Sequence, residues 1–239
     1  MYTICFDLGN TRRKYAVFCE ENLEVTDSIE GDLVFGTKEL LERYKPDKSI
    51  LSSVINHDPE LEKLLADHTN FHKLTATSRL NFVSVVTKPE TVGADRLALM
   101  AASVSLYPDS NVLAIGLGTC ITYNFVNKYG QFLGGGISPG MDMRFRSLQE
   151  LTAMLPLVRE NWNFPLVGYD TETNILSGVI LGMAKEIDGF IDEYAKKYEN
   201  FNAVLTGGNS TYFVPYLKKQ IFADPNLIFK GLYAISECN

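Results

Sequence analysis

Two short glycine turns, about half a chain apart, constrain the fold more than any other feature. The first is Asp7-Leu8-Gly9-Asn10-Thr11, which ends an apolar strand and runs straight into three cations, Arg12, Arg13 and Lys14. The second is Gly116-Leu117-Gly118-Thr119, which follows an equally apolar run. Around the first turn the pattern predicts strands at 2–7, 13–19, 23–29 and 49–54. Helices are expected at 37–44, with Thr37 as N-cap, from Pro59 to Asp67, and at 91–107, with extended pieces at 71–74 and 80–86. Around the second turn it predicts strands at 111–115, 120–126, 132–133 and 203–205. Helices follow at 140–154, 171–198 and 212–218, then a strand at 227–229 and a last helix at 232–237. The order strand-strand-strand-helix-strand-helix therefore occurs twice. Repetition on this scale decides the architecture. It predicts an α/β protein built from two copies of a mixed-sheet domain, 1–109 and 110–239, facing each other across a cleft.

Each copy offers a glycine hairpin to that cleft, and interfaces between domains are favoured places for ligands. One such hairpin reads equally well as a plain turn. Two of them favour a nucleotide site. In the first, the turn from Leu8 through Gly9, Asn10 and Thr11 supplies backbone N–H groups and a hydroxyl for phosphates. Asp7 would face a divalent cation, through water in the case of Mg²⁺. Arg12 and Lys14 share a strand face, so Lys14 is the candidate phosphate contact and Arg13 points elsewhere. Gly93-Ala94-Asp95-Arg96 opens an apolar helix, and a helix N-terminus favours anions. Asp95 by itself also reads as a first-turn acid complementing the dipole. Thr171 also reads as an N-cap for the long helix. The stretch Gly134-Gly135-Gly136 reads by itself as a flexible loop.

Composition narrows the partners. The net charge of −7 argues against a nucleic-acid surface, which needs a basic patch. No apolar run is long enough to span a bilayer, and the first residues lack the pattern of a secretory signal. Four scattered cysteines, Cys5, Cys19, Cys120 and Cys238, form no CxxC pair and read as thiols of a reducing cytosol. The expected location is cytoplasmic. His68 and His72 are four apart, but a helix end and a strand start lie between them, so they read as an exposed pair rather than metal ligands.

Taken together, Asp7-Leu8-Gly9-Asn10-Thr11, Gly93 to Arg96, Gly118-Thr119, Gly134 to Gly140, Thr171 with Ser177-Gly178, and Thr206-Gly207-Gly208 resemble type III pantothenate kinase in order and spacing. The resemblance covers essentially the whole chain. It implies the acetate-kinase, sugar-kinase, chaperone-ATPase and actin superfamily, hence two duplicated ribonuclease-H-like domains. It implies ATP-dependent phosphorylation of pantothenate to 4′-phosphopantothenate, feeding coenzyme A synthesis. Asp95 would be the proton acceptor, and Gly93, Ala94, Asp95, Arg96 and Thr171 would bind pantothenate. Asp7 through Lys14, Thr119, Gly207 and Gly208 would bind ATP, with Asp7 on Mg²⁺. Thr171 would reach the site across a homodimer interface. The family also uses a monovalent cation, potassium or ammonium, held in part by an aspartate where this chain has Gly116. A tyrosine common in the family is replaced by Val86. Two alternatives remain: a kinase of the same superfamily with another acceptor, and a nucleotide-binding regulator without turnover. The presence of Asp95 separates the enzyme from the regulator.

Overall fold

The computed structural model describes residues 1–10, 12–218 and 221–239. The strands are β1 (Tyr2–Leu8), β2 (Arg13–Cys19), β3 (Asn22–Ser28), β4 (Lys48–Ser53), β5 (Asn70–Lys73), β6 (Val83–Ser84), β7 (Asn111–Leu117), β8 (Cys120–Val126), β9 (Gln131–Pro139), β10 (Phe201–Gly207) and β11 (Phe222–Ala223). The helices are α1 (Leu33–Tyr44), α2 (Pro59–His68), α3 (Ala94–Leu106), α4 (Met141–Glu150), α5 (Thr171–Lys197), α6 (Ser210–Phe213) and α7 (Leu227–Ser236). One sheet has the order β3-β2-β1-β4-β5, the other β11-β10-β7-β8-β9-β6. Read from the other edge, β9-β8-β7-β10-β11 repeats the first order strand for strand, and β6 is the addition. The duplication expected from the two turns is thus present in the topology, and the fold is mixed α/β with helices flanking two mixed sheets.

The chain forms two compact units. One is Met1–Asp109 with Val126–Leu133 and Asn226–Asn239, the other Ser110–Phe125 with Gly134–Pro225. In the first unit, β1 pairs antiparallel with β2 and parallel with β4. Ile4, Phe6, Leu8, Val17 and Leu51 face one side, where they pack with Leu40 and Leu41 of α1 and Leu61 and Leu65 of α2. Alternation along the strands turns Cys5 and Asp7 to the other side, and α3 and α7 lie against β4. In the second unit the core gathers Leu113 and Ile115 of β7, Ile121 and Tyr123 of β8, Leu205 of β10 and one stripe of α5.

Several local readings change. Helix α1 begins at Leu33, capped by Asp32, whose carboxylate accepts from Phe35 N at 2.7 Å. Thr37 is therefore a buried interior residue and no cap. Gly36 disguised this first turn as a break. It is there for space, since a Cβ would lie 2.7 Å from Ile29 Cγ2. The chain end forms one helix, α7, and not a strand plus a helix. Gly231, which splits its apolar pattern, lets α7 meet α3 so closely that a Cβ would sit 1.8 Å from Ala98 O. The glycine-dense stretch lies in strand β9 and is no loop. Gly135, at φ 154°, passes over Tyr123, whose carbonyl oxygen a Cβ would meet at 1.8 Å. Helix α4 ends at Glu150, leaving Leu151 82% and Met154 90% exposed beyond it.

Candidate active site

In the first unit three charged side chains converge at the carboxyl end of β1. Asp7 and Lys14 are cross-strand partners on β1 and β2. Gly9 N donates to Arg12 O at 3.1 Å and closes the turn between them. Asn10 is exposed at its tip. Thr11 lies outside the described residues. Arg12 is exposed, and its charge depresses the Lys14 ammonium, second to burial, while Asp7 acts in the opposite direction. Arg13 turns away, as expected from alternation, donating from Nη1 to Gly31 O at 3.0 Å.

The Asp7 carboxyl is pushed up to about 7. Burial is the main cause and the charge of Asp95 the second, with Lys14 pulling it down. Asp95 is thus an electrostatic neighbour of the hairpin although 88 residues away in sequence (95 − 7). It stands in the first turn of α3, whose N-cap Gly93 has no side chain to offer. The absence of that side chain is what gives the carboxylate room, because a Cβ on Gly93 would lie 2.5 Å from Asp95 Oδ1. Arg96, on the same turn, stacks its guanidinium 5.7 Å from the centre of the Phe132 ring. Burial lowers its proton affinity and Asp95 restores part of it. Gly93→Ala should therefore leave the fold intact and push the Asp95 carboxylate aside; with Asp95 as the expected proton acceptor, kcat should fall by about 10- to 10²-fold, the range for a displacement near 1 Å. Kinetics beside a thermal melt would check it, and unchanged kcat would show that this carboxylate needs no fixed position.

In the second unit β7 and β10 run parallel, with Thr206 beside Gly116 and Gly207 beside Leu117. Gly207, at φ 105°, admits no side chain, since a Cβ would lie 2.1 Å from Leu117 O. Gly208 and Thr119 are exposed. Gly118 N donates to Cys120 O, and Gly140 N to Thr119 O, both at 3.0 Å, which ties the second glycine turn to the start of α4. Thr171 is the first residue of α5, but the cap is Asp170, in a capping box with Thr173. The N-cap reading of Thr171 is corrected accordingly, and its exposed side chain lines a cavity of about 680 Å³ with Arg144, Asn174 and Gly178. His68 is exposed, whereas His72 is half-buried on β5 with its Nε2 2.8 Å from Ser78 Oγ.

Sequence reasoning missed a second polar cluster. Arg144 donates from Nε to Pro139 O at 2.8 Å and from Nη2 to Ser138 Oγ at 3.0 Å, and pairs with Glu186. Glu186 also accepts from the Tyr123 hydroxyl at 3.0 Å. Burial, then the Glu186 charge, pushes that phenol upward. This network holds α4, α5, β8 and β9 together. Its members are spread from residue 123 to residue 186, so no local pattern marks them.

The family model described as type III pantothenate kinase matches residues 3–193. A type III pantothenate kinase from Christiangramia forsetii is 41% identical over 238 residues, covering 99% of this chain and 98% of the relative. The chain belongs to the type III pantothenate kinase family. Among solved structures, a Campylobacter jejuni protein described as of the Baf family of transcriptional activators superposes with a TM-score of 0.62 at 22% identity, covering 98% of this chain and 97% of that one. A glucokinase from an Antarctic psychrotroph superposes with a TM-score of 0.53 at 10% identity, covering 100% and 99%. At those identities the likeness carries the fold alone.

Proposed function

We propose that this chain transfers the γ-phosphoryl group of ATP to the primary hydroxyl of pantothenate, giving ADP and 4′-phosphopantothenate for coenzyme A synthesis. The observation that carries the reading is the pairing of Asp7 with Asp95 beside Lys14 in a family of pantothenate kinases. In the reaction the hydroxyl oxygen forms a bond to the γ-phosphorus, and the bond from that phosphorus to the β–γ bridging oxygen breaks. Asp95 takes the hydroxyl proton and aligns the oxygen. Gly93, Ala94 and Arg96 position pantothenate around it, and Lys14 and the Leu8–Arg12 turn hold phosphate. Thr119, Gly207 and Gly208 carry the family's nucleotide-binding pattern. A carboxylate held at low polarity next to a second one fits a divalent cation, which offsets the repulsion between them. Asp7 would hold Mg²⁺, which screens the phosphate charge when bound. The test is a coupled assay: purified protein should consume ATP only when pantothenate is added. Turnover with another small alcohol and none with pantothenate would overturn the substrate assignment. No observation favours the regulator.

The exposed apolar positions between α4 and α5, among them Leu166 at 77%, Val167 at 79% and Tyr169 at 81%, support a homodimer to which Thr171 contributes. On that reading, dilution lowers activity in step with the appearance of monomer in sedimentation, and a fully active monomer would sink it. A cytoplasmic location with no nucleic-acid or membrane partner suits the acidic charge and the absence, among the described residues, of a helix long and apolar enough to cross a membrane.

Gly116 bears on the monovalent cation. It lies in β7 beside Thr206 and brings no side-chain oxygen. With one anionic ligand fewer to offset dehydration, potassium or ammonium should activate weakly or not at all. Comparing kcat/KM in potassium, ammonium and sodium salts at fixed ionic strength checks this, since screening alone alters anion binding. A saturable potassium requirement would contradict it. The Gly116→Asp variant should gain one.

A further inference from the structure

Ser52 stands beside Asp7 as its register partner on the neighbouring parallel strand β4. Register partners project to the same face of a sheet. The preceding pair, Phe6 and Leu51, belongs to the apolar layer beneath α1 and α2, so Asp7 and Ser52 share the opposite face. Ser52 has no solvent exposure, and its hydroxyl has no hydrogen-bond partner. Buried hydroxyls nearly always have one. The next residue makes the contrast clear. Ser53 Oγ donates to Ile55 O at 2.9 Å and lies 3.1 Å from His57 Nδ1, so its capacity is used by the chain itself. Ser52 keeps a polar atom, at cost, next to the half-buried carboxylate of the hairpin.

We infer that Ser52 is a positioning residue for the divalent-cation site: its hydroxyl donates to the Asp7 carboxylate when that carboxylate turns to hold the cation. The hydroxyl is closed to solvent, so its partner must be a protein atom, and Asp7 offers an acceptor on the same sheet face. The bond would fix the rotation of the Asp7 carboxylate. This rests on the reading of Asp7 as the metal-holding residue. Outer partners of metal sites typically contribute about 10- to 100-fold in metal affinity.

The experiment is calorimetric titration of ADP into wild type and Ser52→Ala, each with and without Mn²⁺, beside a thermal melt. Wild type should bind ADP more tightly with Mn²⁺. In Ser52→Ala that tightening should shrink by about tenfold, with metal-free ADP affinity unchanged and melting temperature equal or higher, because an unpartnered buried hydroxyl has been removed. If both variants tighten equally, Ser52 has no such role while the Asp7 assignment survives. If Ser52→Ala loses affinity equally with and without metal, its role is structural and the inference fails. If wild type itself shows no tightening, the metal reading of Asp7 and this inference fall together.

Discussion

Asp95→Asn lowers kcat by about 10²- to 10⁴-fold, the range for a positioned acid–base residue, while ATP still binds and the protein melts where wild type does. Asparagine keeps the shape of the side chain and the room that Gly93 leaves for it. What it removes is the ability to take a proton. Its second consequence is electrostatic. The Asp95 charge is one cause of the high proton affinity of Asp7. Without it, Asp7 should ionise at lower pH, which titration of the Asp7 carboxyl by NMR would detect. The two readouts separate roles that activity alone confuses. A residue that only shapes the helix start would lose stability with rate. A loss of less than tenfold in kcat, with Asp7 shifted as expected, would place Asp95 as a charge neighbour and not as the base.

What the sequence made legible follows from the range of the physics involved. The Asp7 hairpin, the first turn of α3 and the Gly207 turn are local devices. A strand running into a glycine turn, or a glycine opening an apolar helix, is written in consecutive residues. The duplication was legible because each copy repeats its own order of elements, and the sheet orders reproduce it. Three of the errors share one cause, glycines placed for the sake of neighbours outside their own element. Gly36 answers to Ile29, Gly135 to Tyr123 and Gly231 to Ala98. In each case a tertiary approach, invisible in the local pattern, reversed the usual meaning of glycine as a breaker. Ser52 escaped notice for a related reason. A serine ending an apolar strand is unremarkable until β4 lies in register beside Asp7.

The Asp7 carboxyl makes function and stability pull in opposite directions, and Asp7→Asn should expose both. An aspartate in an unfolded chain ionises near 3.9, whereas Asp7 in the folded protein does so at about 7. Between those values the folded state binds more protons than the unfolded state. Stability from this group is therefore fully present below about pH 4 and is lost as pH rises through 7. Three pH units correspond to about 4 kcal/mol. Asparagine never ionises, so its stability has no such slope. Without metal or nucleotide, the variant and wild type should unfold alike at pH 4, and at pH 8 the variant should be more stable by about 2–4 kcal/mol. Metal-dependent ATP binding should move the other way: weaker in the variant, with pantothenate affinity barely changed. The Lys14 ammonium, deprived of the Asp7 charge that supports it, should also release its proton more readily. Denaturation at the two pH values, with calorimetry of ATP with and without Mg²⁺, tests both halves. Parallel pH curves for the two proteins would mean that Asp7 is ionised at ordinary pH without any cation. Equal loss of ATP and pantothenate would mark Asp7 as structural. The expected pattern is a residue that destabilises the empty protein at neutral pH and, on the proposed function, gives its charge to a metal ion.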